Sequence, residues 1–183
     1  MIKLSWFSAP ALAACLLLAG CFTSEQPLFD QSLGSPLMGT GEVLVTTYEN
    51  DHEDGGTLVW KSGTYIDEKD DDHTSISFHR LPGTWPWEGW YVGESLSNGK
   101  TSSGYIYELY RKRGDKLHAY SISCRDLTDL EAEQTHMARS ESKDECKVTR
   151  QADLAAALRL LAKRKSSDSY WTWKPAPKPD GAP

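Results

Sequence analysis

Four cysteines are the residues of this chain best suited to covalent chemistry: Cys15, Cys21, Cys124 and Cys146. Cys21 follows an apolar run, residues 9–20, which only Pro10 interrupts and which Lys3 precedes. A positive residue ahead of a short apolar run that ends in small side chains is typical of a secretory signal peptide. The run is too short to span a bilayer as a helix. The pattern therefore predicts export and removal of a leader in this region.

The stretch Leu18-Ala19-Gly20-Cys21 resembles the lipobox of bacterial lipoproteins, which has a leucine, two small residues and an obligatory cysteine. This resemblance implies that a diacylglycerol is attached to the Cys21 thiol, that the chain is cut before Cys21, and that the new amino terminus is acylated. The alternative is an ordinary secretory signal peptide that is cut elsewhere in the region.

Phe22, rather than an aspartate, follows the lipobox cysteine. In families that use an aspartate retention rule, this implies transport to the outer membrane of a cell with two membranes. The resemblance thus implies a lipid-anchored protein of the cell envelope that faces the periplasm.

Cys124 and Cys146 are the two cysteines that remain if Cys15 leaves with the leader and Cys21 carries lipid. Extracytoplasmic compartments are oxidising, so we expect a disulfide between them. Closing a loop of this length stabilises a fold by about 3 kcal/mol in the chain-entropy treatment. Two buried free thiols are the alternative. A redox or zinc role is disfavoured because no C-x-x-C spacing occurs and no histidine spacing completes a zinc site.

No specific catalytic pattern occurs in the sequence. Residues 93–97 lack the second glycine of a nucleophile elbow, and residues 97–100 match S-x-x-K only in a predicted turn. His79, His118 and His136 have no nucleophile beside them in sequence. We therefore predict that the protein is not an enzyme and has no catalytic, metal-binding or cofactor-binding residues.

Two acidic loops, residues 50–55 and 67–73, carry carboxylates and imidazoles of the kind that bind cations. The first begins like an EF-hand loop, but Lys61 stands where the bidentate glutamate of that motif belongs. We expect solvated charged loops, with a looser cation site as the alternative.

Trp85, Trp87 and Trp90 form an unusually dense tryptophan cluster. An exposed cluster could stack on a ligand or contact a protein, because each indole offers a large area at little entropic cost. Packing in the core or under a loop is the more ordinary role of such residues. The cluster is the sequence's candidate for ligand or partner contact.

The charge of the chain argues against nucleic-acid partners. Loss of Lys3, the only charged residue among the first twenty, takes the formal net charge from −6 to −7. An acidic surface is repelled by phosphate backbones and by anionic headgroups, so the lipid must hold the protein at the membrane.

Period-2 alternation and turn residues predict a series of strands. They cover residues 42–49, 57–66, 74–81, 87–96, 105–112, 116–124 and 170–173. The segments 105–112 and 116–124 should form a hairpin whose two faces are both partly apolar. Leu154, Leu158 and Leu161 share one face of a helix predicted over residues 151–165, and Thr128 with Glu131 marks a short helix.

This pattern predicts a mainly β (α+β) fold, an antiparallel small barrel or curved sheet with one C-terminal amphipathic helix packed on it. We predict a removed leader (1–20), an extended tether (21–40), one β-rich domain (41–173) and a disordered proline-rich tail (174–183). Phe29 and Leu33 could instead dock on the domain.

The arrangement resembles the small lipoproteins of proteobacteria, a resemblance that brings no known activity. Our first functional hypothesis is a non-enzymatic envelope lipoprotein that is held at the membrane by its lipid and binds or supports another envelope protein. The alternative is a β-barrel that binds a small ligand at a mouth lined by tryptophan and tyrosine.

Overall fold

The computed structural model describes residues 22–49, 52–68, 75–81, 88–99, 102–167 and 169–176. Within them the chain forms eleven strands of one sheet: β1 (Phe22–Ser24), β2 (Glu42–Glu49), β3 (His52–Lys61), β4 (Thr64–Ile66), β5 (Ser75–Arg80), β6 (Trp90–Gly99), β7 (Ser102–Arg113), β8 (Lys116–Tyr120), β9 (Ala138–Arg139), β10 (Cys146–Lys147) and β11 (Ser169–Pro175). The helices are α1 (Asp129–Gln134) and α2 (Gln151–Ala162), with 3-10 turns at Gln31–Leu33 and Cys124–Asp126.

Eight antiparallel strands close into a barrel in the order β2, β3, β4, β5, β6, β7, β8 and β11. The late strand β11 completes the ring, because Trp171 lies opposite Thr47 on β2 and Leu117 on β8. Closure pairs the edges that an open sheet would expose. The mainly β prediction is confirmed, and the barrel replaces the alternative of an open curved sheet.

Three short strands extend the sheet beyond the barrel wall. β1 pairs antiparallel with the first half of β7, and β8 pairs with the second half. β10 lies parallel to β1 on its other side, and β9 pairs antiparallel with β10. The sheet therefore branches at β7.

The barrel wall separates two hydrophobic cores. Alternate residues of β7 point to opposite sides, so Tyr110 belongs to the interior core while Tyr107 and Leu109 belong to the outer one. Both of the partly apolar faces of β7 are therefore covered, one by the interior core and the other by the outer core. On the outside, Leu154 and Leu158 of α2 are fully buried against the wall, as the predicted amphipathic helix requires.

Two sequence predictions are corrected in this region of the fold. The strand predicted over residues 57–66 is divided into β3 and β4 by a turn at Ser62 and Gly63, both with positive φ (47° and 93°), and this turn falls at the glycine whose position in the strand indicates a bend. β3 also begins at His52, so most of the first acidic loop, residues 52–55, is paired with β2.

The prediction of a free tether over residues 21–40 is wrong for its described part, residues 22–40. Phe22, Leu37 and Met38 are buried, and Leu28 and Phe29 pack against the outer core. The sequence shows no hydrophobic periodicity here because the apolar side chains pack into the cores individually and not along one face of a helix or strand. At the other end, Lys174 and Pro175 belong to β11 rather than to the tail, of which residues 177–183 lie outside the described ranges.

Candidate functional site

The residue next to Cys21 is fixed in the sheet, in a strand that pairs with the barrel wall. Phe22 is 0 % exposed and lies between Tyr107 of β7 and Cys146 of β10. Cys21 itself lies outside the described residues, but one peptide bond joins it to Phe22. Any group on the Cys21 thiol is therefore attached at the side of the barrel, where β1 branches from β7.

The predicted disulfide between Cys124 and Cys146 is present and braces the strand next to β1. Both half-cystines are fully buried, with Cα atoms 5.3 Å apart. The bond ties β10 to the 3-10 turn at Cys124–Asp126. Directly after β10, the backbone N–H of Val148 donates to the Thr23 carbonyl at 2.7 Å. The disulfide thus fixes the position of β10, the strand that pairs with β1.

A buried carboxyl group on β6 holds the chain that follows β1. Glu94 is 1 % exposed, and its Oε2 accepts hydrogen bonds from the backbone N–H groups of Leu28 (3.0 Å) and Phe29 (3.3 Å). The Tyr107 hydroxyl lies 2.7 Å from Ser24 Oγ and also accepts from the Leu28 N–H at 3.1 Å. Burial raises the pKa of the Glu94 carboxyl above its ordinary value, although hydrogen bonds with the Tyr107 side chain and with the two backbone N–H groups oppose the shift.

His79 on β5 is a second buried titratable group under this segment. Its Nε2 lies 2.9 Å from Ser77 Oγ, and the Phe29 ring stacks on the imidazole with centroids 4.5 Å apart. Burial lowers the pKa of His79 to about 4, and the Asp30 carboxylate opposes this shift more weakly. His79 is therefore neutral at neutral pH.

The Ser77–His79 pair has the spacing of a nucleophile and its base, but not the access. Ser77 is 0 % exposed, and its hydroxyl also donates to the Glu94 carbonyl at 3.4 Å. A nucleophile must reach its substrate, and this hydroxyl is enclosed beneath Phe29. We interpret the pair as part of the support for the N-terminal segment.

The end of the same segment is built into the interior core. Leu37 and Met38 are buried there, and the Met38 N–H donates to the Tyr65 hydroxyl at 2.8 Å. That hydroxyl donates in turn to the Gly39 carbonyl at 2.8 Å, while Lys112 Nζ donates to the Leu37 carbonyl at 2.8 Å. Burial raises the pKa of Tyr65 to about 12. Residues 22–40 are therefore secured at both ends.

Aromatic rings fill the middle of the barrel. Phe78, Tyr110 and Trp171 surround one another with centroid distances of 5.1, 5.4 and 6.2 Å. The Tyr65 ring packs on Phe78 at 6.0 Å, and the Tyr110 hydroxyl donates to Glu108 Oε2 at 2.7 Å. These contacts make the interior a packed core at this level.

Of the predicted tryptophan cluster, Trp90 lies within the described residues. Trp85 and Trp87 lie outside the described residues. Trp90 is 5 % exposed and packs on the Tyr120 ring with centroids 4.8 Å apart. Its indole belongs to the outer core, which is the ordinary role that the sequence allowed.

The histidines and carboxylates of the described ranges form no recognisable metal site. Within the described ranges, no group of three or more His, Cys, Asp and Glu side chains is placed to hold a metal ion. Residues 50–51 and 69–74 of the two acidic loops fall outside those ranges. His118 and His136 contact Ser167 and Asp153 respectively, far apart in sequence from His79.

Sequence reasoning missed Glu94 and His79 as buried groups. The signal was available for Glu94, because period-2 alternation places it on the same face of β6 as Trp90 and Val92. A carboxyl group in line with two apolar residues indicates a buried acid. Its partners, the backbone amides of residues 28 and 29, carry no side-chain signature.

No protein family matches this chain, and no curated protein or solved structure matches it either. None of the helices in the described part of the chain has the length and apolar character needed to cross a membrane. The geometry of residues 22–40 is therefore the basis of the functional argument.

Proposed function

We propose that this protein is a lipid-anchored cell-envelope protein with a non-enzymatic role in binding or supporting another envelope protein. The lipid is carried by Cys21, and the barrel is the part that meets the partner. A residue other than aspartate after Cys21 favours the outer membrane, with the barrel facing the periplasm.

The observation that carries the proposal is the burial of Phe22. A cut on the carboxyl side of Phe22 would remove a side chain whose truncation in a core costs about 3–5 kcal/mol. It would also remove the first residue of β1. A cut between Gly20 and Cys21, where the lipobox pattern places it, keeps all of β1. The burial of Phe22 therefore supports a mature chain that keeps Phe22, as the proposed cut before Cys21 does.

The packed aromatic interior argues against the small-ligand alternative. A ligand pocket in a small barrel needs an interior that side chains leave open. Here Phe78, Tyr110 and Trp171 occupy that space. The acidic surface disfavours nucleic acid, so an envelope protein is the favoured partner.

Metabolic labelling with an alkyne fatty acid tests the anchor. The wild-type protein should incorporate the label and fractionate with outer membranes, and the Cys21→Ser variant should do neither, because a hydroxyl does not form the thioether. Mass spectrometry of the wild-type protein should find an acylated Cys21 at the amino terminus.

Cys15→Ser is the matched control, since it changes a cysteine of the leader and should keep full incorporation. Label that persists in Cys21→Ser, or a natural amino terminus without acyl groups, contradicts the proposal. Cross-linking and pull-down of the lipidated protein test its role: one stoichiometric protein partner supports it, and a copurifying small molecule without a protein partner contradicts it.

A further inference from the structure

We propose that the lipid on Cys21 holds the barrel directly on the bilayer, with one defined flank toward the lipid headgroups. This β9–β10 flank consists of β9, β10, the loop of residues 140–145 between them, and α1. The inference rests on the proposed lipid anchor and adds the orientation of the barrel and the surface that meets the membrane.

The proposed anchor, Cys21, is joined to the folded part of the chain without a flexible linker. β1 begins at Phe22, which is paired on both sides. A flexible tether of about 20 residues would allow a separation of about 25 Å. With a single peptide bond in its place, the acyl chains can enter the bilayer only if the side of the barrel that carries β1 comes down to the headgroups.

The strands β10 and β9 and the loop between them lie beside β1. Phe22, Cys146 and Arg139 form a row across β1, β10 and β9, with adjacent strands about 4.8 Å apart. One residue before Cys146 is Glu145, whose Oε1 accepts a hydrogen bond from Thr23 Oγ1 at 2.6 Å. The loop of residues 140–145 therefore ends next to β1, at the end of the strand to which Cys21 is bonded.

The short helix α1 belongs to the same flank because it contacts β9. The guanidinium group of Arg139 donates to Asp129 Oδ1 at 2.5 Å and to the Cys124 carbonyl at 2.8 Å. Leu130, the residue after Asp129, is 63 % exposed. A single exposed leucine is ordinary on a protein surface. On a flank that the anchor brings down to the headgroups, the same side chain can enter the apolar boundary of the bilayer.

The flank is acidic, although several of its side chains form ion pairs. Arg125 pairs with Asp144, and Lys143 pairs with Asp129 at 2.9 Å. The flank carries three cations and six carboxylates: Arg139, Lys143 and Lys147 against Asp129, Glu131, Glu133, Glu141, Asp144 and Glu145. Attraction to anionic lipid is therefore not what orients the barrel, and the contact should persist in zwitterionic vesicles and in high salt.

The test measures which surface of the lipidated, full-length mature protein lies at the headgroups. A fluorophore is attached through Ser142→Cys in the loop or, on the opposite side of the barrel, through Glu53→Cys. Both positions are exposed, and β3, which carries Glu53, is four strands from β7 in either direction. The protein is placed in phosphatidylcholine vesicles that contain phosphatidylcholine spin-labelled near the headgroup.

We expect the label at position 142 to lose most of its fluorescence and the label at position 53 to keep most of it. Inserting about 20 Gly and Ser residues between Cys21 and Phe22 should remove the difference, because the barrel then moves about 25 Å from the surface on average. Ala138→Cys on β9 is a second label site and should behave like position 142.

Equal quenching at positions 142 and 53 overturns the inference, and so does a difference that survives the inserted linker. Mass spectrometry of each sample separates this failure from failure of the proposed function. Acylated protein with equal quenching refutes the orientation alone, whereas protein without acyl groups refutes the anchor on which it rests.

Discussion

Glu94 and His79 lie under the same segment and have pKa values shifted in opposite directions, and both shifts favour the neutral form. His79, with a folded pKa of about 4, contributes stability that is complete above pH 6.5 and is lost as the pH falls toward 4. Glu94, with a raised pKa, contributes stability that is complete below its unfolded value of 4.5 and is lost as the pH rises through its folded value. In the wild-type protein, the changes in stability with pH that His79 and Glu94 cause therefore have opposite signs.

Glu94→Gln removes the contribution of the Glu94 charge to the free energy of unfolding. The side-chain amide oxygen of glutamine can still accept hydrogen bonds from the backbone N–H groups of Leu28 and Phe29, but it carries no charge. We expect the variant to match the wild type near pH 4 and to become more stable than it toward neutral pH. The gain is about 1.4 kcal/mol for each unit by which the fold raises the carboxyl pKa. Urea denaturation at a series of pH values, taken as a difference from the wild type, measures it.

Glu53→Gln is the control for this comparison, since it removes the same charge at an exposed site on β3. The difference in the free energy of unfolding between Glu53→Gln and the wild type should be small and nearly the same at each pH. If Glu94→Gln is instead less stable than the wild type at neutral pH, the hydrogen bonds from the two amides to the carboxylate outweigh its desolvation.

At the scale of the element, the disulfide should matter most for the strands outside the barrel. Replacing both half-cystines, Cys124→Ser with Cys146→Ser, should lower the free energy of unfolding by about 3 kcal/mol, because the cross-link no longer restricts the unfolded chain. The loss should also be local. The Val148 amide, which donates to Thr23, should exchange hydrogen faster relative to amides of the β2–β3 ladder.

Reduction of the wild-type protein supplies the matched comparison for the double variant and should reproduce its stability and its exchange pattern. If the double variant keeps wild-type protection at Val148, then β9 and β10 hold β1 without help from the disulfide.

Strands with clear alternation were predictable from the sequence, as was the β7–β8 hairpin, but the other strand partners were not. The two-sided pattern of β7 indicated a wall covered on both faces, and α2 followed from its leucine spacing. The placement of β11 between β2 and β8 depends on contacts between residues far apart in sequence, which no local pattern records. Periodicity therefore predicted the elements, while tertiary packing decided their order.

The segment of residues 22–40 shows where periodicity stops being informative. Pro27, Gly34 and Pro36 interrupt any regular element, so a tether was the expected reading of this composition. Yet Phe22 enters the outer core and Met38 the interior one. A segment can be irregular and still be part of the fold when it satisfies its backbone groups through side chains such as Glu94 and Tyr65.

At the scale of the whole molecule, residues 22–40 contribute to both cores at once. They supply buried apolar side chains and cover Glu94 and His79, two groups whose pKa values depend on being kept from water. Removing the segment would therefore open the outer core, the interior core and the buried polar groups together. A true tether would have none of these effects.

A soluble chain that starts at residue 41 should consequently fail to fold, whereas one that starts at residue 22 should unfold cooperatively. Loss of Phe22, Leu37 and Met38 from the cores costs about 2–5 kcal/mol each, and the sum approaches the 5–15 kcal/mol that stabilises a typical domain. Near-ultraviolet circular dichroism and urea unfolding of the two chains measure the difference. Equal unfolding midpoints would mean that the segment is a tether after all, and that the lipid anchor leaves the barrel free to move away from the membrane.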